Sequence, residues 1–268
     1  MESADFLSIL KERDLLPSAH AFRAPEVSGS ASDRVGPAGV HTEGTTILAL
    51  RYRDGVLVAG DRRATAGNVV VYDRAAKVLT VDDRSVLALS GSPASAYEIA
   101  RLLEISFQHY RRTQLQELSL DGRLRTLSRL LRDNLPMAMQ GIGAVVPIYI
   151  THEDSGPQAG GRIYLYDVLG ANFETVDFCT TGSGSPIIRG ALYFLNRWER
   201  PFAERDEAEA LRLVLQMLET AAEFDTATGG FKSTAAIYPQ VMRVTGDGIT
   251  NVSDADLATH YASLQVTG

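Results

Sequence analysis

From Thr45 onward the apolar residues come in segregated blocks: strand-like runs, a pair of helix-like runs, strands, a second helix pair, and strands again. The first runs are TTILALRY, DGVLVAGDRRAT, NVVVYD and KVLTVDDRSVLALSGS, apolar at period two, with Asp54-Gly55 as a hairpin turn between the first pair. They read as an antiparallel meander. Ile99, Leu102, Leu103, Ile105 and Phe107 then recur as on one helix face, and so do Leu124, Leu127, Leu130 and Leu131. AVVPIYITHE, GRIYLYDVLG and FETVDFCTTGSGS return to strand, PIIRGALYFLNRWE and DEAEALRLVLQMLETAAEFD to helix, and TAAIYPQVMRVTGDGITNVS supplies a last strand pair. A parallel βαβ array would alternate strand and helix singly. Blocks of this kind predict an α+β fold, two antiparallel sheets covered by helix pairs.

The first 44 residues have a different texture. A short amphipathic piece (Phe6, Leu7, Ile9, Leu10, Leu15, Leu16) precedes PSAHAFRAPEVSGSASDRVGPAG, whose Pro, Ser, Gly and Ala cannot bury enough apolar surface to order themselves. This part reads as a tail or pro-segment. Its start, MESADFLSILKERDLL, is acidic where a secretion signal is basic, and no run approaches the roughly 18 apolar residues of a membrane span, so a cytoplasmic protein is expected. A net charge of -7 argues against nucleic acid as a partner. The lone cysteine, Cys179, excludes an internal disulfide framework or a Cys-rich metal site and reads as buried filler.

At the boundary stands HTEGTTILAL. As plain sequence it starts a strand; as a cleavage site, a cut after Gly44 would leave Thr45 with hydroxyl and free amine on one residue. Such an amine, with an unperturbed pKa of about 7.7–8.0, is a base near neutral pH that an interior threonine lacks. The chemistry would also need a cation to tune the amine, a carboxylate to hold the cation, and N–H donors for an oxyanion. Asp61 and Arg63 stand at a strand end in AGDRRAT. Surface charge is the plain reading of each, and of Lys77. But Lys77 lies between Ala76 and Val78, where a core strand wants an apolar residue, which opens a second reading, a buried and paired lysine. Gly91 in LALSGSP permits close backbone approach to a ligand. TTGSGSP brings Ser183 and Ser185 to a turn but lacks the sequel of a phosphate loop. EFDTATGG closes a helix, with Gly229-Gly230 as its expected stop and Asp225 and Thr228 projecting from the end.

The ordered set GTTILAL, AGDRRAT, Lys77, SGS, TTGSGS and DTATGG, spread over residues 45 to 250, resembles the β subunits of the proteasome core particle, most nearly the actinobacterial type. The resemblance implies an N-terminal-nucleophile hydrolase, an αββα sandwich, with residues 1–44 as a removable pro-segment and 45–268 as the peptidase domain. It implies a threonine endopeptidase matured by its own cleavage between Gly44 and Thr45, with no cofactor or metal. Thr45 is then nucleophile and base, Asp61 and Lys77 the buried pair beside it, and the Gly91 amide the oxyanion donor. Ser183, Asp225 and Thr228 match the group that hydrogen-bonds around the amine, Thr228 standing where many relatives carry serine. The implied substrate pocket takes Ala64, Thr65, Ala75, Leu79, Leu89 and Pro93, the proline replacing a common alanine. The implied partners are α subunits and other β subunits in stacked rings of seven (α7β7β7α7), a ring ATPase activator and protein substrates.

Two other readings compete. A structural ring subunit that keeps its pro-segment would usually lack the Thr-Asp-Lys set, which is intact here. The simpler bacterial threonine peptidase that pairs with its own ATPase has no long pro-segment and no motif like that around Asp225. A proteasome α subunit has no processed threonine.

Overall fold

The computed structural model describes residues 44–66, 69–154 and 159–265, all within one unit of the chain, Val40–Gly268. The expected pro-segment, apart from Gly44, lies outside the described residues. β1 (Thr46–Tyr52) and β2 (Gly55–Gly60) form a hairpin whose turn residues are Arg53 and Asp54, one position earlier than expected from sequence. Gly55 already faces Tyr52 in the ladder, and a Cβ on it would lie 2.3 Å from the Val244 carbonyl oxygen.

The expected meander is divided. After β2, β3 (Ala64–Ala66) and β4 (Val69–Tyr72) form a separate two-stranded ribbon. The chain then enters a second sheet made of β5 (Val78–Thr80), β6 (Ser85–Gly91), β7 (Val145–Glu153), β8 (Gly160–Tyr166) and β9 (Asn172–Thr175), paired in that order. β10 (Phe178–Gly182) returns to the first sheet, whose order β10-β1-β2-β11-β12 is completed by β11 (Gln240–Thr245) and β12 (Gly248–Asn251). Every pairing described in the two sheets is antiparallel. FETVDFCTTG thus holds two strands of different sheets.

Helices α1 (Pro93–Gln114) and α2 (Leu120–Met139) pack on the second sheet. Helices α3 (Ser185–Phe194) and α4 (Glu207–Phe224) pack on the first, joined by an α5 (Asp254–Gln265) that the strand-ending block pattern does not foresee. The result is the expected αββα sandwich.

Layering explains why β1 and β2 are apolar throughout. Leu48, Leu50, Leu57 and Ala59 face the helices, while Ile47, Ala49, Val56 and Val58 face the other sheet, so each strand is covered on both sides. The same alternation runs through β6, with Leu87 and Leu89 under α1 and α2 and Val86 and Ala88 between the sheets. Cys179 belongs to the inter-sheet cluster, and burial pushes its thiol up to about 12, an inert filler. Among the described residues no helix is long and apolar enough to cross a membrane.

Candidate active site

The site forms where β1 begins, β2 and β10 end, and β5 is about to start. Gly182 sits opposite Thr46 in the β1–β10 ladder with φ +99°, and a Cβ there would be 1.8 Å from the Thr45 carbonyl oxygen. Only glycine lets β10 pass this close. Gly44 is as confined: a Cβ would be 1.8 Å from the Cβ of Ala227. Its N–H donates to the Thr65 hydroxyl (3.3 Å), and its carbonyl accepts from Lys77 Nζ (3.2 Å). Gly44 is therefore held at both its N–H and its carbonyl, with Thr45 beside it 4% exposed.

Asp61 follows β2 and is fully buried, a costly position for a carboxylate unless its lone pairs are filled. They are. Oδ1 accepts from the Thr46 N–H (2.8 Å) and Lys77 Nζ (2.9 Å), and Oδ2 from the N–H groups of Arg63 (2.9 Å) and Gly229 (3.0 Å). Lys77, immediately before β5 and 7% exposed, thus bridges Asp61 and Gly44 with its ammonium. The pair spans the two sheets, since Asp61 directly follows a strand of one and Lys77 directly precedes a strand of the other.

On the far side of Thr45 lies a hydroxyl chain. The Ser183 hydroxyl accepts from the Thr45 N–H (3.3 Å) and donates to Asp225 Oδ2 (2.6 Å). Thr228 donates to the same oxygen (2.6 Å), which leaves Thr46 to donate to Thr228 (2.6 Å) while accepting from the Gly184 N–H (3.1 Å). Burial pushes the Asp225 carboxyl up, but the bonds from Ser183, Thr228 and the Ala227 N–H outweigh it and hold the group below its ordinary value. Asp225 is accordingly charged at every pH above the usual carboxylate value of about 3.9, and these contacts weaken only as acid titrates the folded group below it.

Beside Thr45 opens an apolar cavity of about 260 Å³, walled by Ala64, Ala75, Leu89 and Pro93, with Tyr72 and Tyr97 at its sides and Gly91 at its edge. Gly91 ends β6 with φ +110°, where a Cβ would be 2.1 Å from the Ala144 carbonyl oxygen. The Tyr97 hydroxyl donates to the Ala76 carbonyl (2.9 Å) and braces the wall. Among the described residues no group of three or more His, Cys, Asp or Glu could hold a metal ion.

A family model described as "Proteasome subunit" matches residues 41–237. The chain belongs to the proteasome subunit family. It is 43% identical over 216 residues to "Proteasome subunit beta 2" of Thermomonospora curvata, covering 80% of this chain and 74% of that one. It is 41% identical over 213 residues to "Proteasome subunit beta" of Acidothermus cellulolyticus (79% and 71%), and 37% over 222 residues to the protein of that name in Jonesia denitrificans (83% and 71%). This proteasome subunit is thus of the actinobacterial β type, a protease subunit of the proteasome core.

In this proteasome subunit the fold brings together Gly44, Thr45, Asp61, Lys77, Ser183, Asp225 and Thr228 in one bonded cluster, and Gly91 lines the same cavity as Thr45. Two residues expected in the cavity wall stand elsewhere. Leu79 is half-buried and packs against the cluster under α1 and α2, and Thr65 turns its hydroxyl to the Gly44 N–H. Tyr72, Ala76, Ala96 and Tyr97 line the cavity in addition. The glycine pair of TATGG does not stop the helix, because α4 already ends at Phe224, with Asp225 as its extended C-cap. Gly229 instead brings its N–H to Asp61, where a Cβ would press to 2.9 Å against that of Arg63. Arg63 is no surface charge, since its guanidinium donates to the Thr226 (2.8 Å) and Thr228 (3.1 Å) carbonyls and fixes this loop.

Proposed function

We propose that this β subunit is a threonine endopeptidase made as a precursor, with residues 1–44 as its pro-segment, and matured by its own cleavage between Gly44 and Thr45. The observation that carries the reading is the buried Asp61–Lys77 pair, which no packing requirement explains and whose ammonium reaches the Gly44 carbonyl. In maturation Thr45 Oγ attacks the Gly44 carbonyl carbon, whose oxygen the ammonium polarises, and the hydroxyl proton passes to the Thr45 nitrogen. The C–N bond breaks, the acyl group passes to Oγ as an ester, and water releases Gly44 as a carboxylate. Thr45 is left with a hydroxyl and a free amine.

In turnover the amine takes the Oγ proton as Oγ attacks a substrate carbonyl, and gives it to the leaving amine; water then hydrolyses the acyl ester by the same route. A neighbouring ammonium disfavours protonation of the amine and keeps it basic. The N–H of Gly91 serves the oxyanion, and Ser183, Asp225 and Thr228 orient the amine. The chain works within stacked heptameric rings, α7β7β7α7, fed by a ring ATPase in the cytoplasm. Its substrates are unfolded proteins drawn into an enclosed chamber.

The cavity sets specificity. A space of about 150 Å³ already holds benzene, so about 260 Å³ admits a tyrosine side chain. Beyond Thr45 and Gly91 its walls are alanine, leucine, proline and the two tyrosines, and among the described residues the one cation lining it, Lys77, is engaged by Asp61. A glutamate would lose its hydration there without a partner. With the assembled particle, fluorogenic peptides carrying Tyr or Leu before the reporter are expected to be cut about 10–200-fold faster than those carrying Glu or Arg, the range of 1–3 kcal/mol. A dominant Glu or Arg preference would mean that another surface receives the side chain.

A further inference from the structure

We infer that Gln240 is a positioning residue for Lys77, acting as a clip that fixes the spacing between the two sheets where the Asp61–Lys77 pair crosses it. Gln240 opens β11 and faces Gly60, the residue before Asp61, in the β11–β2 ladder. Its amide leaves the first sheet and reaches the other: Oε1 accepts from the N–H groups of Lys77 (3.1 Å) and Val78 (3.2 Å), and Nε2 donates to the Val78 carbonyl (2.6 Å).

Among the described residues β5 lies at the edge of its sheet, paired with β6 alone, so its outward N–H and C=O groups need partners. One side-chain amide supplies what a neighbouring strand would. Gly60 shares the same point, because a Cβ on it would stand 3.5 Å from Lys77 Cβ and 3.5 Å from Val78 Cγ2. The backbone of Lys77 is thereby held between Gln240 on one side and the Leu89 N–H, which donates to its carbonyl (2.8 Å), on the other. The ammonium then needs only its own rotamer to span 2.9 Å to Asp61. Lys77 lines the cavity too, but the neighbouring stretch of its wall is tied separately, by the Ala75 N–H to the Arg62 carbonyl (3.0 Å) and by the Tyr97 hydroxyl to Ala76. Loss of the clip should therefore affect the chemistry of Lys77 and spare substrate binding.

This inference rests on the catalytic reading of Lys77, and the test separates the two. Chains are supplied as fusions whose removal leaves Thr45 first, so that maturation does not intervene, and are assembled with the α subunits. Gln240→Met, similar in length but without the amide, is expected to lower kcat by about 10- to 100-fold, the cost of a displacement near 1 Å, with KM unchanged within about threefold. Combined with Lys77→Ala it should lower kcat no further, since the clip acts only through Lys77. Should Gln240→Met fail to assemble, Gln240→Asn, one methylene shorter, is expected to give a smaller kcat loss with the same unchanged KM and the same non-additivity. A kcat equal to wild type in either assembled variant, or a full further loss on top of Lys77→Ala, overturns the inference. If Lys77→Ala itself turned over normally, the catalytic reading would fall instead.

Discussion

Thr45→Ala is expected to give a particle that assembles, keeps residues 1–44 and cuts no peptide. The substitution removes Oγ, so neither the Gly44 carbonyl nor a substrate carbonyl meets a nucleophile. Packing should tolerate the change, because the polar neighbours stay satisfied: the Thr45 N–H still donates to Ser183, and Lys77 still bridges Asp61 and the Gly44 carbonyl. Turnover should fall on the order of 10⁴-fold or more, as when a nucleophile is removed from other hydrolases. Peptidase assays with intact-mass measurement check both halves at once. Thr45→Ser, which keeps the hydroxyl, should mature and retain part of the activity. Turnover by Thr45→Ala above a trace would place the nucleophile elsewhere.

Lys77→Ala is the second large effect, and it acts on both rate and stability. Without the ammonium the mature Thr45 amine loses the neighbouring positive charge that disfavours its protonation. Its pKa rises, less of it is basic at pH 7, and the acid limb of any residual activity moves to higher pH. Loss of polarisation at the Gly44 carbonyl slows maturation as well. The rate is expected to drop about 10²–10⁴-fold, the range for a group acting through proton transfer. Asp61 would remain buried with three backbone N–H donors but no cation. Breaking a buried pair costs about 3–5 kcal/mol, and those three donors put this case at the low end. Initial rates across pH and a thermal melt of the assembled particle measure the two effects; normal turnover in a folded variant would remove Lys77 from the mechanism.

The sandwich is legible in the sequence because segregated blocks leave few alternatives, and because strands covered on both faces read as dense apolar runs. Continuity is what misleads. The runs from Thr45 to Ser92 look like one meander, yet the chain changes sheets through the ribbon after Ala64, and alternation along a strand carries no information about which sheet it joins. The last helix escapes the block pattern although Leu257, Tyr261 and Leu264 fall at helical spacing, since few apolar residues surround them.

Within the site, residues with conspicuous chemistry can be read from sequence: a threonine after glycine, a lysine in an apolar run, an aspartate at a strand end. Those that act through backbone cannot. Gly229 reads as a helix stop, but its N–H fills a lone pair on a carboxylate 168 residues away. Thr46 reads as an ordinary strand threonine, yet its N–H and hydroxyl tie Asp61 to Thr228. Long-range closure of this kind leaves only glycines as traces, and TTGSGS carries two, Gly182 and Gly184, each against β1.

The central claim is that Thr45 becomes the first residue of the working enzyme. Co-expression with the α subunits, isolation of assembled particles and determination of the β chain's intact mass and N-terminal sequence test it directly. The account requires a chain that begins Thr45-Thr46-Ile47 and lacks residues 1–44, appearing in step with peptidase activity. An active particle whose β chain still begins at Met1, or at any residue other than Thr45, would contradict it.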